Sequence, residues 1–193
     1  MSMLLPVDMK YYLKFYCAPC LLGKKPSSLF SLPVSIYRES LKEKRALAKY
    51  GFALKLLYII EEKAHVMLYS KKEIKQMLKK RDVQKAFSFF GYKESYKFEH
   101  IFSALSSRLR SFAKGLITGN REGFPHEVGL FLGYPPEDVL QYYINKGKGY
   151  IFSGYWKVYT NPSKAYLEFK KYDEAKAYCM NMPLFDIDKL FIA

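Results

Sequence analysis

Cysteine is scarce in this chain. Its 193 residues hold three, too few and too odd in number for a disulfide framework, which points to a reducing compartment. Long apolar runs are also missing. The longest, Phe52 to Ile60, is nine residues with Lys55 inside it, whereas a membrane-spanning helix needs about twenty. The N-terminal apolar stretch is short, broken by Pro6 and Asp8, and lacks a small-residue cleavage site. A signal peptide is therefore not expected, and the cytoplasm is the expected location. Low-complexity segments and flexible linkers are absent, so one domain over residues 1–193 is expected. The chain is 50% hydrophobic, which excludes disordered and fibrous classes. A domain of this length removes roughly 70% of its unfolded surface from water.

Acidic residues are outnumbered. The net charge is +14, and 11 of those charges fall in residues 1–100, with +6 in the first fifty and +5 in the second. Clustered cations suit an anionic partner because binding releases condensed counterions. However, lysine supplies 26 of the 32 cations, and base recognition relies more on arginine forks. Lysine, tyrosine and phenylalanine share A- and T-rich codons, so coding bias explains the balance equally well. The densest basic stretch is Lys71, Lys72, Lys75, Lys79, Lys80 and Arg81. On a helix starting after Ser70, Lys72, Lys75 and Lys79 share a face that can follow phosphates without reading bases.

Periodicity predicts an α/β (or α+β) fold, a mixed sheet flanked by helices. Helices are expected over 38–50, from Ser70 (a capping box with Glu73), from Asp82 to Gly91, over 97–114, over 136–146 and over 162–180. Strands are expected over 52–60 and 64–69 as a hairpin, and over 127–132 and 150–159, the last two as parallel neighbours across a helical crossover. Residues 184–192 are expected to add a last turn or edge segment.

The segment 124–139, FPHEVGLFLGYPPEDV, is the most distinctive. Read as a strand, it sets His126, Val128 and Leu130 on one face and Glu127, Gly129 and Phe131 on the other. Gly129 and Gly133 leave room beside Glu127 for a ligand or a packed helix. His126 and Glu127 then point apart and cannot share a metal. With His65 and His100 scattered, no metal site is expected. Gly154 to Tyr159, GYWKVY, carries the one tryptophan, and such a strand suits stacking on a flat ligand. Lys157 on it needs a counter-charge, for which Glu127 is the expected partner. The expected ligand site is thus Glu127, Gly129, Tyr134, Trp156 and Lys157. Cys17-Ala18-Pro19-Cys20 has the spacing of a dithiol, otherwise of a turn with free thiols. It offers a rival chemistry in which Cys17 is the nucleophile and His126 its base.

CAPCLLGKKPSSLF at residues 17–30, together with HEVGLFLGYPPEDV and GYWKVY, resembles an uncharacterised bacterial family of low-GC Gram-positive anaerobes, known as a domain of unknown function. Gly23, Lys25 and Pro26 are among the matching positions, with no role attached. Tyr16 and Cys20 depart from the pattern, which has His and Thr there. The resemblance implies an accessory role in redox or iron metabolism, although no Fe–S, haem or flavin signature names a cofactor. The leading expectation is a non-enzymatic binder of a small molecule or protein. Thiol chemistry at Cys17 and nucleic-acid binding are the alternatives.

Overall fold

The computed structural model describes residues 8–92, 97–120, 122–182 and 190. Helix α1 (Met9–Leu21) leads into β1 (Ser27–Pro33), then the short helices α2 (Val34–Glu39) and α3 (Leu41–Lys49). A hairpin follows, formed by β2 (Phe52–Ile60) and β3 (Lys63–Ser70), and then helices α4 (Lys71–Leu78), α5 (Arg81–Phe89) and α6 (Phe98–Ile117). One helical turn, α7 (Val128–Phe131), precedes α8 (Pro136–Ile144), the two-residue strands β4 (Phe152–Ser153) and β5 (Lys157–Val158), and the long α9 (Pro162–Met180).

The main sheet has the order β1-β3-β2 and both pairings are antiparallel. Its central strand is covered on both sides, which the pleat makes possible by sending alternate residues to opposite faces. Ala64, Val66 and Leu68 join α1 in one core with Leu13, Cys17, Phe30, Leu47 and Cys179. Met67 and Tyr69 point the other way, into a core with Ile74, Phe87, Leu105, Leu109 and Phe131. The result is a sheet between two helical layers. A third cluster, Trp156, Val158, Ala165, Phe169 and Tyr172, seats the β4–β5 hairpin on α9.

Half of the expected capping box forms at Ser70: its Oγ accepts from the Glu73 N–H at 3.3 Å and α4 starts there, while the Ser70 N–H donates to the Pro26 carbonyl at 2.9 Å instead of to the Glu73 side chain. Three expectations change. Residues 127–132 are not a strand, because Val128, Leu130, Phe131 and Leu132 are all buried, and a short run apolar on every side suits a helical turn as well as a strand. Gly133 ends the turn at φ +80°. The 150–159 segment is a tight hairpin rather than one strand, so the parallel pairing with 127–132 does not exist. The 38–50 helix is two helices broken at Ser40. Elements α1 and β1 escape the periodicity, and Cys17 to Cys20 lie in the last turns of α1 around Pro19 instead of in a loop. Of the expected tail at 184–192, all but Leu190 lies outside the described residues. No helix among the described residues is long and apolar enough to cross a membrane.

Candidate functional site

Two close approaches bring the distinctive segments together. Helix α1 ends at Gly23 (φ +66°), and the Lys24 and Lys25 N–H groups donate to the Pro19 carbonyl at 2.7 and 3.3 Å. This curl places Pro26 against Gly133, where an added Cβ would stand 2.5 Å from Pro26 Cδ. The neighbouring Ser27 Oγ donates to the Phe131 carbonyl at 2.6 Å. Glycine is required at 133 twice over, for its positive φ and for the missing Cβ.

The second approach is made by Asp138. Its carboxylate is 2% exposed and accepts from Trp156 Nε1 at 2.7 Å, Tyr159 N at 3.0 Å, Thr160 N at 2.8 Å and Thr160 Oγ at 2.9 Å. The hairpin is thereby tied to α8, and the Trp156 ring stands 5.1 Å from that of Tyr134. Segments 23–26, 133–137 and 154–160 consequently meet although they are far apart in the chain.

Where they meet, a groove of about 520 Å³ opens, closed on its other sides by α4, the start of α5 and the first half of α9. Its wall is aromatic: Tyr134, Trp156 and Tyr172. Its charged groups balance, with Lys24, Lys25, Lys80 and Lys164 against Glu73, Asp82, Glu137 and Glu168.

Lys25 is the anomaly. It is 9% exposed, and its ammonium lies 5.8 Å from the Tyr134 ring centre and 5.7 Å from that of Tyr172. No described residue gives it a hydrogen-bond acceptor or a carboxylate. Ring faces attract a cation but do not replace lost hydration. Burial pulls its pKa down to about 8, opposed by the Cys20 and Cys17 thiols and reinforced by Lys176.

The expected ligand residues divide. Gly129, Tyr134, Trp156 and Lys157 line a smaller, mostly apolar hollow of about 180 Å³, together with His126, Val139 and Tyr142. Tyr134 and Trp156 line both the hollow and the groove. Gly129 is needed for close packing, since a Cβ there would meet Val139 Cγ2 at 2.9 Å. Lys157 does not pair with Glu127: its ammonium donates to the Gly147 carbonyl at 2.8 Å and sits 4.6 Å from the Tyr150 ring centre. Glu127, 2% exposed, is clamped by Arg108 Nη1 at 2.7 Å and the Tyr92 hydroxyl at 3.1 Å. Arg108 also donates to the Phe90 carbonyl at 3.0 Å, so the three groups lock α6 to the turns around it.

That clamp predicts a mutational effect. Arg108→Met leaves the buried Glu127 carboxylate with the Tyr92 hydroxyl alone and, since the Arg108 side chain is 41% exposed and water replaces part of the loss, should cost about 2 kcal/mol, with Glu127→Gln in the same chain recovering much of it. Urea melts of the single and double variants provide the check, and a single-variant loss under about 1 kcal/mol would show the pair to be incidental.

The thiol pairing is not assembled. Cys17 is 0% exposed and burial, then Cys20, holds its thiol pKa well above the ordinary value. Burial pushes Cys20 up to about 12, and its thiol donates weakly to the Pro26 carbonyl at 3.5 Å. All three cysteines are free and buried. His126 instead packs against Phe124, Tyr142 and Tyr143, and burial lowers its pKa. Cys17 packs in the core around α1, and His126 is not among the residues of that core. Among the described residues no group of three or more His, Cys, Asp or Glu could hold a metal. Lys71, Lys72, Lys75, Lys79, Lys80 and Arg81 are exposed, with α4 ending at Leu78 before the last three, and Lys80 also borders the groove.

Lys25 and Tyr172 are the residues that periodicity does not reveal. The signal for Lys25 is its place in the GKKP motif, and Tyr172 reads only as helix α9. No curated protein and no solved structure matches the chain. A family model described as a protein of unknown function, DUF3793, matches residues 13–187, and the chain belongs to that family.

Proposed function

We propose that this chain is a small-molecule-binding protein and that the groove around Lys25 is its binding site. The observation that carries the reading is a buried lysine, on the border of an open groove, with no acceptor among the described residues. An ammonium in that position costs the fold several kcal/mol, and a ligand oxygen that accepts from it offsets the cost at the moment of binding. The volume falls in the range of ligand pockets, and the Tyr134, Trp156 and Tyr172 rings offer a flat apolar wall. The four lysines of the groove are balanced by four carboxylates, so the site offers no net positive field to attract nucleic acid or a polyphosphate. The favoured ligand is a compact organic molecule with a flat body, an oxygen acceptor directed to Lys25, and at most one negative charge. Buried, protonated thiols give no support to Cys17 as the working group.

The test is a thermal-shift screen of the chain against aromatic and aliphatic monocarboxylates, aldehydes, ketones and nucleotides. Stabilising compounds are expected among the first three classes and should lose their effect in Lys25→Met. A screen with no stabilising compound, or with hits indifferent to Lys25→Met, would overturn the reading.

A further inference from the structure

We infer that Lys25 is a nucleophilic amine that captures an aldehyde or ketone in the groove as an imine. The inference rests on the reading of the groove as a ligand site and narrows its ligand to carbonyl compounds. A lysine engaged in an ion pair has its amine tied up as an ammonium, whereas Lys25 Nζ stands over the rings of Tyr134 and Tyr172 with no carboxylate among the described residues to pair it. Once deprotonated, its lone pair has no competing donor among the described residues and opens on a space large enough for a second molecule.

The electrostatic surroundings favour the neutral amine. Burial is the largest influence, followed by the Cys20 and Cys17 thiols of α1, which act in the opposite sense, and the Lys176 cation of α9, which adds to burial. Cys17 and Cys20 are themselves held in the neutral thiol form. Burial likewise keeps Tyr134 and Tyr172 as neutral phenols. At pH 8 about half of Lys25 is free amine, a fraction on the order of 100-fold above that of an ordinary lysine. Lowered basicity also weakens the nucleophile, so the net rate advantage is roughly tenfold.

The step balances without a redox partner. The Nζ lone pair adds to the carbonyl carbon while the C=O π pair moves to oxygen, which takes a proton to give a carbinolamine. Nitrogen releases a proton, the hydroxyl leaves as water after accepting another, the C=N bond forms as an iminium, and its remaining N–H proton passes to solvent to leave the neutral imine. Amine plus carbonyl thus yields imine plus water. Glu73 and Glu168 line the same groove and can relay protons through solvent.

The experiment treats the chain at pH 8 with sub-stoichiometric benzaldehyde, and in parallel pyruvate, in the presence of cyanoborohydride, which reduces an imine to a stable secondary amine. Adducts are located by peptide mapping of the wild-type chain, with the α-amino group scored separately because it also titrates near this pH. With one or both probes, Lys25 should be labelled about tenfold faster than any other lysine. Lys25→Arg should abolish that dominant adduct while the labelling of the other lysines proceeds as in the wild type. Labelling by both probes spread over surface lysines with Lys25 no faster would overturn the imine. The reading of the groove as a binding site would stand in that case if carbonyl-free ligands still lost their thermal shift in Lys25→Met, and would fall with it if they did not.

Discussion

Replacing Lys25 with methionine is expected to stabilise the fold at pH 7 by about 3 kcal/mol while removing its response to groove ligands. The buried ammonium titrates near 8, more than two units below an ordinary lysine, and each unit is worth about 1.4 kcal/mol. Methionine has a similar reach, carries no charge, and its sulfur packs well against rings such as Tyr134 and Tyr172. The sign of the pH dependence follows. Below pH 8 both folded and unfolded chains are protonated at this position, and the wild type carries the whole penalty. Between about 8 and 10.5 the unfolded chain holds more protons than the folded one, so wild-type stability rises with pH relative to the variant. Above that range the penalty is gone and the advantage of methionine closes. Urea melts of both proteins at pH 7 and pH 10 measure the difference directly. A variant less stable than wild type at pH 7 would mean that Lys25 has a partner worth keeping in the folded chain. A gain in stability coupled to loss of binding is the behaviour of a residue kept for function.

Asp138→Ala should act in the opposite direction, with a loss of about 4 kcal/mol. Its carboxylate serves four donors on the hairpin and the start of α9, and alanine leaves the Trp156 indole N–H and the Tyr159 and Thr160 amides without an acceptor. Each stranded buried donor costs about 1–3 kcal/mol, reduced where water can enter. Asp138→Asn keeps the shape but turns an NH₂ group toward one set of these donors, so it should recover only part of the loss. Trp156 is the chain's one tryptophan, and its near-ultraviolet signal reports whether the ring has left the Tyr134 wall. Urea melts with a loss below about 1 kcal/mol and an unchanged tryptophan signal would remove Asp138 as the post that holds this wall.

Much of the fold is legible because its signals are local. Ser70 and Glu73 announce α4, Pro162 stands at the first position of α9, and the apolar stripe from Ile101 through Leu109 announces α6. The Phe124–Val139 segment misleads for a physical reason. Strand alternation assumes one wet face, and here both sets of side chains are buried, so the pattern carries no period. Helix α1 is hidden by Pro19 inside it, which reads as a break. At the site, Tyr134 and Trp156 are legible as aromatics beside glycines, and they stand on the wall. Glu127 is legible as an acid in need of a cation and is expected to meet Lys157, but its partner Arg108 sits on α6, and spacing along the chain cannot say which of 32 cations will reach it. Lys25 looks like one more solvated lysine in a basic segment. Its burial arises only when Tyr134 and Tyr172, more than a hundred residues downstream, close around it.

The central claim, that Lys25 is a buried cation in an open groove with no acceptor among the described residues, is tested most directly by titrating the protein labelled with [15N]lysine and following each Nζ resonance by NMR, with Lys25→Met assigning the signal. The Lys25 signal should titrate near pH 8 and should shift when a groove ligand is added. If Lys25 instead titrates at the ordinary lysine value of about 10.4, its ammonium is solvated or paired, and the account of the groove fails.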